Sequence, residues 1–115
     1  MKKTAAKMPE QYQILKKKFK GFMEAVDNLG KAVKEAGPID EKTAHLIQLA
    51  AAASKWSEGS VHSHTRRALA AGATPAEIYQ ALMLITSISG FPTVSAAISW
   101  ADDEILKKKK TAKKK

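Results

Sequence analysis

The chain has 115 residues, no cysteine, and 20 Lys+Arg against 11 Asp+Glu, for a formal charge of +9. That length suits one domain with a modest core and favours oligomerisation. The missing cysteine excludes a disulfide framework, a thiolate zinc site, an iron–sulfur cluster and thiol catalysis by this chain alone.

The charge is concentrated at the two ends. Lys2, Lys3 and Lys7 lie at the N-terminus, and Lys107 to Lys110 with Lys113 to Lys115 at the C-terminus. Residues 8–106 hold 10 bases and 11 acids. We therefore expect a basic disordered N-terminus over 1–8, a single helical domain over 9–106 and a Lys-rich disordered tail over 107–115. Lysine runs without interleaved aromatics imply only non-specific attraction to phosphate, so no specific nucleic-acid partner is expected. The basic opening Met1-Lys2-Lys3 lacks the apolar stretch that a secretory signal needs, and no run approaches the ~18 apolar residues of a membrane span. The expectation is a cytoplasmic protein with no membrane partner.

In chain order, Leu15, Phe19, Phe22, Met23, Val26, Leu29 and Val33 step by three and four, predicting an amphipathic helix from about Pro9 to Ala36. Pro9 opens it and Gly37-Pro38 closes it; Lys16, Lys17, Lys18 and Lys20 fill its polar face. Asp40 can cap a second helix running to about Lys55, whose small residues Ala50 to Ala53 allow close approach of a neighbour. A third helix is expected from about Ser57 to Ala71, stopped by Gly72 in a left-handed C-cap. Thr74-Pro75-Ala76-Glu77 reads as a capping box for a fourth helix, carrying Ile78, Leu82, Met83, Leu84 and Ile85. Gly90-Phe91-Pro92 breaks it, and a fifth helix follows from about Thr93 to Leu106. No segment alternates long enough to make a strand, so the fold class is all-α, with about five to six helices.

Titratable chemistry centres on His45, His62 and His64. At 100° per residue, Ser57, Ser60 and His64 share a stripe with Ala68 and Ala71, which points inward. Glu58 and His62 share a different, more polar face. His45 lies with Leu49 and Ala52, also toward the core. Acid–base catalysis by His64, assisted by His62, Glu58 or His45, is one reading, because imidazole titrates near neutrality. A serine nucleophile, Ser60 activated by His64, is another, although it lacks an orienting acid and a nucleophile elbow. His62 and His64 lie roughly 160° apart on a regular helix, so one ion cannot easily take both; no metal site is assigned and no cofactor is expected. A histidine satisfying a core hydrogen bond is the structural alternative to all of these.

Residues 40–101 resemble the carboxymuconolactone decarboxylase family, which includes the alkylhydroperoxidase D-like proteins. The matching stretches are Asp40-Glu41-Lys42-Thr43-Ala44-His45-Leu46-Ile47, then His64 through Gly72-Ala73-Thr74-Pro75-Ala76-Glu77-Ile78, then Gly90-Phe91-Pro92. The resemblance implies an alkylhydroperoxidase D-like helical bundle whose protomers assemble as trimers or hexamers, with sites near subunit contacts. In the peroxidase branch, the resemblance puts the paired cysteines at Ser57 and Ser60, the glutamate at His45 and the intervening histidine at Gly59. The final histidine is kept as His64. A serine hydroxyl cannot cycle through sulfenate or disulfide, so thiol peroxidase activity of the family type is not expected.

The decarboxylase branch works without the cysteine pair. It implies a lyase-like enzyme using His64 in acid–base chemistry on a carboxylated or carbonyl metabolite. The expected catalytic residues are His64, His62 and Glu58, with Ser57, Ser60, His45, Arg66 and Arg67 binding substrate. Arg66 and Arg67 are the only arginines available for substrate carboxylates. Two other readings stay open: a non-catalytic ligand or interaction module on the same scaffold, and an antioxidant protein dependent on partner thiols.

Overall fold

A computed structural model describes residues 10–114, with side chains through Lys107. The basic segment 1–8 lies outside the described residues. The described chain is all-α: α1 (Glu10–Lys18), α2 (Lys20–Glu35), α3 (Glu41–Ser54), α4 (Glu58–Ala70), α5 (Pro75–Met83), α6 (Thr86–Ser89) and α7 (Phe91–Lys114). It divides into two units, Met1–Ile39 and Asp40–Lys115.

In the first unit the long helix expected from Pro9 to Ala36 is interrupted at Phe19, whose φ of −130° and ψ of 62° are not helical. Tyr12 donates its hydroxyl to Asp27 Oδ1 at 2.6 Å, and Lys16 Nζ lies 3.7 Å from Asp27 Oδ2. On an unbroken helix, positions 15 apart would be separated by roughly 22 Å along the axis. The Tyr12–Asp27 bond therefore requires α1 to turn back along α2. The apolar positions of α2 divide unevenly: Met23 is buried, while Phe22, Val26, Leu29 and Val33 are exposed.

The second unit has its own core. Leu49, Ala52 and Ala53 of α3 meet Val61 and Ala68 of α4, joined by Ala73, Ile78 and Leu82 and by Ala97, Ala101 and Ile105 of α7. The alanines let α3 pack closely on α4, and α4 on α7. Apolar burial of this kind contributes roughly 25 cal/mol per Å2 removed from water.

Helix ends in this unit follow sequence chemistry, with one exception. At the end of α4, Ala73 N–H donates to Ala68 C=O at 2.9 Å and Gly72 N–H to Leu69 C=O at 3.1 Å, with Gly72 at φ +100°. That is a Schellman closure on the residue type that tolerates it. Helix α3 closes in the same pattern, Ser57 N–H to Ala52 C=O and Trp56 N–H to Ala53 C=O, but the left-handed position is Trp56 at φ +56°. A bulky side chain there costs about 1–2 kcal/mol. Tertiary contacts hold it in place: Trp56 Nε1 donates to Thr93 Oγ1 at 2.8 Å, and the indole stands edge-on to Trp100 with ring centres 5.5 Å apart.

Asp40 takes the extended N-cap conformation before α3 without a side-chain cap bond to the backbone. Its carboxylate is held below its ordinary range chiefly by the Thr43 side chain. The capping box of α5 forms in full: Glu77 N–H donates to Thr74 Oγ1 at 3.1 Å and Thr74 N–H to Glu77 Oε1 at 2.9 Å. Lys42 Nζ adds a 3.0 Å ion pair to Glu77 Oε2, tying α5 to α3.

The fourth helix, expected to reach Gly90, instead ends at Met83, and a single turn, α6, follows. The break falls on Gly90 alone (φ +93°), and α7 begins at Phe91 with Pro92 in its first turn, where a missing N–H is harmless. Tyr79 Oη donates to Asp102 Oδ1 at 2.6 Å, linking α5 to α7 and raising the phenol above its usual range through that hydrogen bond. The α7 backbone continues as helix through Lys114, into the segment that the sequence reading expected to be disordered.

Candidate functional site

Helix α4 presents two histidines in different directions. His64 faces α3, where its Nδ1 lies 3.3 Å from Nδ1 of His45, with ring centres 5.4 Å apart and planes tilted by 38°. His45 is 1% exposed and His64 is half-buried. One turn before His45 on α3, Glu41 Oε2 stands 3.7 Å from His45 Nε2. Two facing Nδ1 atoms at this distance need one proton between them: one ring donates and the other accepts. Two Nδ1–H groups facing each other would be two donors without an acceptor, so the contact holds one proton.

His62 faces α7. Its Nε2 lies 2.9 Å from Asp103 Oδ2 and 3.9 Å from Glu58 Oε2. The two-residue step from His62 to His64 turns the helix through about 200°, which separates the two environments. Glu58 and His62, expected to assist His64, are therefore grouped with Asp103, on a side of α4 away from His45.

The other expected site residues are distributed unevenly. Arg66 donates to Glu104 Oε2 at 3.1 Å, and Glu104 is buried, with Lys107 Nζ 3.6 Å from its other oxygen. Its guanidinium is thus engaged in an ion pair between α4 and α7. Arg67 is exposed. Ser57 is the half-buried N-cap residue of α4, and its side chain makes no cap hydrogen bond. Ser60 is exposed rather than inward-facing, because the inner stripe of α4 runs through Val61, Thr65 and Ala68.

Two acids at these sites, Glu41 and Asp103, are not among the site residues expected from sequence. Glu41 had a local signal, since it precedes His45 by four residues on one helix and so shares its face. Asp103 had none: it is 41 residues from His62, and only the packing of α7 on α4 brings it there.

His45 and His64, the positions onto which the resemblance lays the peroxidase-branch glutamate and final histidine, thus face each other across α3 and α4. The carboxymuconolactone decarboxylase family profile matches residues 20–103. The chain belongs to the carboxymuconolactone decarboxylase family. An uncharacterized protein of Methanocaldococcus jannaschii, MJ1511, is 33% identical over 89 residues, covering 77% of this chain and 83% of its own length. No solved structure matches the chain significantly. This chain carries serines at 57 and 60 and the imidazole pair His45–His64.

Proposed function

We propose that the chain is a small oligomeric cytoplasmic enzyme performing histidine-based acid–base chemistry on a carboxylated or carbonyl-containing metabolite, with His64 and His45 as its proton-transfer pair. The observation that carries this reading is the 3.3 Å contact between the two Nδ1 atoms. In the base direction, the half-buried His64 imidazole takes a proton from substrate while its Nδ1 proton passes to His45 Nδ1. The charge then rests on a buried imidazolium with the Glu41 carboxylate 3.7 Å from its Nε2. Running the relay backwards returns the proton to the carbon that has lost carbon dioxide or to an enolate oxygen.

His64 therefore carries the chemistry in this reading, while His62 and Glu58, across α4, do not share its proton. Ser57 and Ser60 are the hydroxyls assigned to substrate in this reading. Arg67 is the arginine assigned to a substrate carboxylate, because Arg66 is held by Glu104. No helix among the described residues is long and apolar enough to cross a membrane.

The test is turnover of a panel of carboxylated lactones and keto acids, followed by carbon dioxide release and by proton exchange in deuterated water. The expected outcome is turnover that falls at least ~100-fold in His64→Ala, the lower range for a general acid–base group. His45→Gln should reduce it less, because the first proton acceptor remains. Hydroperoxides with a dithiol donor, added to the same panel, should give no turnover. Unchanged turnover and ligand binding in His64→Ala would sink the reading. Ligand binding by the wild type with no turnover of any panel member would leave a binding module in its place.

A further inference from the structure

The seam between α4 and α7 carries a second cluster that the His45–His64 chemistry does not use. We propose that Glu58, His62 and Asp103 form a binding site for a divalent first-row cation of the zinc class. Glu58 and His62 are one turn apart on α4, and Asp103 reaches them from α7. Their donor atoms, two carboxylate oxygens and one imidazole nitrogen, all lie within 4.8 Å of one another. Ligands at about 2.0–2.1 Å around a tetrahedral ion stand about 3.3 Å apart. The His62–Asp103 separation of 2.9 Å and the His62–Glu58 separation of 3.9 Å bracket that value. Glu58 begins α4 and is exposed, so its side chain has room to adjust toward an ion.

Electrostatics favour a cation at this place and not at its neighbour. Further along the seam, the buried Glu104 is matched by Arg66 and Lys107. Around His62, two carboxylates converge on a single imidazole, leaving net negative charge whether or not that ring is protonated. One nitrogen and two oxygens suit a borderline ion such as Zn2+ or Co2+ better than the all-oxygen shell preferred by Mg2+ or Ca2+. His62 would ligate the ion through Nε2, and water completes the coordination shell on the exposed side. The donor set differs from the His62–His64 pair considered from sequence, which the geometry of one helix forbids.

The experiment uses the full chain without an affinity tag, stripped with chelator. Zn2+ alone is titrated by calorimetry, and Co2+ by its visible absorption. The expected result is one equivalent per chain, undiminished by millimolar Mg2+. Losing a direct ligand should cost at least the ~10–100-fold that a lost outer-shell partner costs, so His62→Ala and Asp103→Asn should each weaken binding by tenfold or more. Glu58→Gln, an isosteric change on an exposed side chain and so of small expected effect on folding, should weaken it as well. Stoichiometric binding that survives all three substitutions would place the ion elsewhere and overturn the proposal. So would the absence of saturable binding in the unmodified chain.

Discussion

At the residue scale, the most informative position is Trp56. Nothing in the local sequence marks it as a helix terminator, and a glycine would serve the α3 Schellman closure better. The indole is held there by Thr93 and Trp100, both on α7, so the left-handed backbone is a product of tertiary contact. The order of two substitutions tests this. Both Trp56→Gly and Trp56→Ala lose the indole contacts, but only glycine is unstrained at φ +56°. Trp56→Gly should therefore be more stable than Trp56→Ala by about 1 kcal/mol in urea unfolding, although glycine is ordinarily the less stable choice in regular structure. Equal stabilities would mean that residue 56 is not left-handed in solution. The histidines show the same division between local and distant causes. Glu41 beside His45 follows from helical spacing, whereas the imidazole pair and the Asp103 contact depend on which helices pack together.

At the element scale, α5 is the helix whose stability is most fully explained by its own sequence. Its Thr-Pro-Ala-Glu start predicts a capping box, and the box forms with both hydrogen bonds. The Thr74 N–H, followed by Lys42, holds the Glu77 carboxyl below its ordinary value of 4.5. The sign follows from that depression: folding is favoured by ionised Glu77 above about pH 4.5, and this contribution fades as pH falls through the lower folded value. Replacing Glu77 by Gln keeps a capping side chain but removes the titration. Urea midpoints measured from pH 7 to pH 3 should then fall less steeply for Glu77→Gln than for the unmodified chain. Identical slopes would show that the box contributes nothing to acid lability. The neighbouring prediction of one continuous helix to Gly90 fails because propensity says little about a short apolar run. Thr86 turns its hydroxyl back to Met83 C=O at 2.6 Å, and Ser89 bonds Ser54 at 2.7 Å, so the chain makes a separate turn there.

At the scale of the whole molecule, the exposed apolar stripe on α2 bears on assembly. Phe22 is 64% exposed and Leu29 63%, on a helix whose pattern calls for burial. If the chain assembles as the resemblance implies, a second copy is expected to cover this stripe. Leu29→Glu places a charge there and should shift the chain toward monomer in light scattering at micromolar concentration. A wild type that is already monomeric under those conditions would remove the basis for proposing an oligomer.

The sequence by itself determined the helical class, most helix boundaries, the family, and the absence of thiol chemistry. These rest on local periodicity, capping residues and composition, which act over a few neighbouring positions. It also determined that His62 and His64 serve different places, because a two-residue step on a helix leaves no alternative. The tertiary structure decided which group each histidine meets. His45 and His64 are 19 residues apart, and His62 and Asp103 are 41 apart. Contacts over such separations arise from the alanine-lined packing of α3 on α4 and of α4 on α7, for which helical periodicity supplies a face but not a partner.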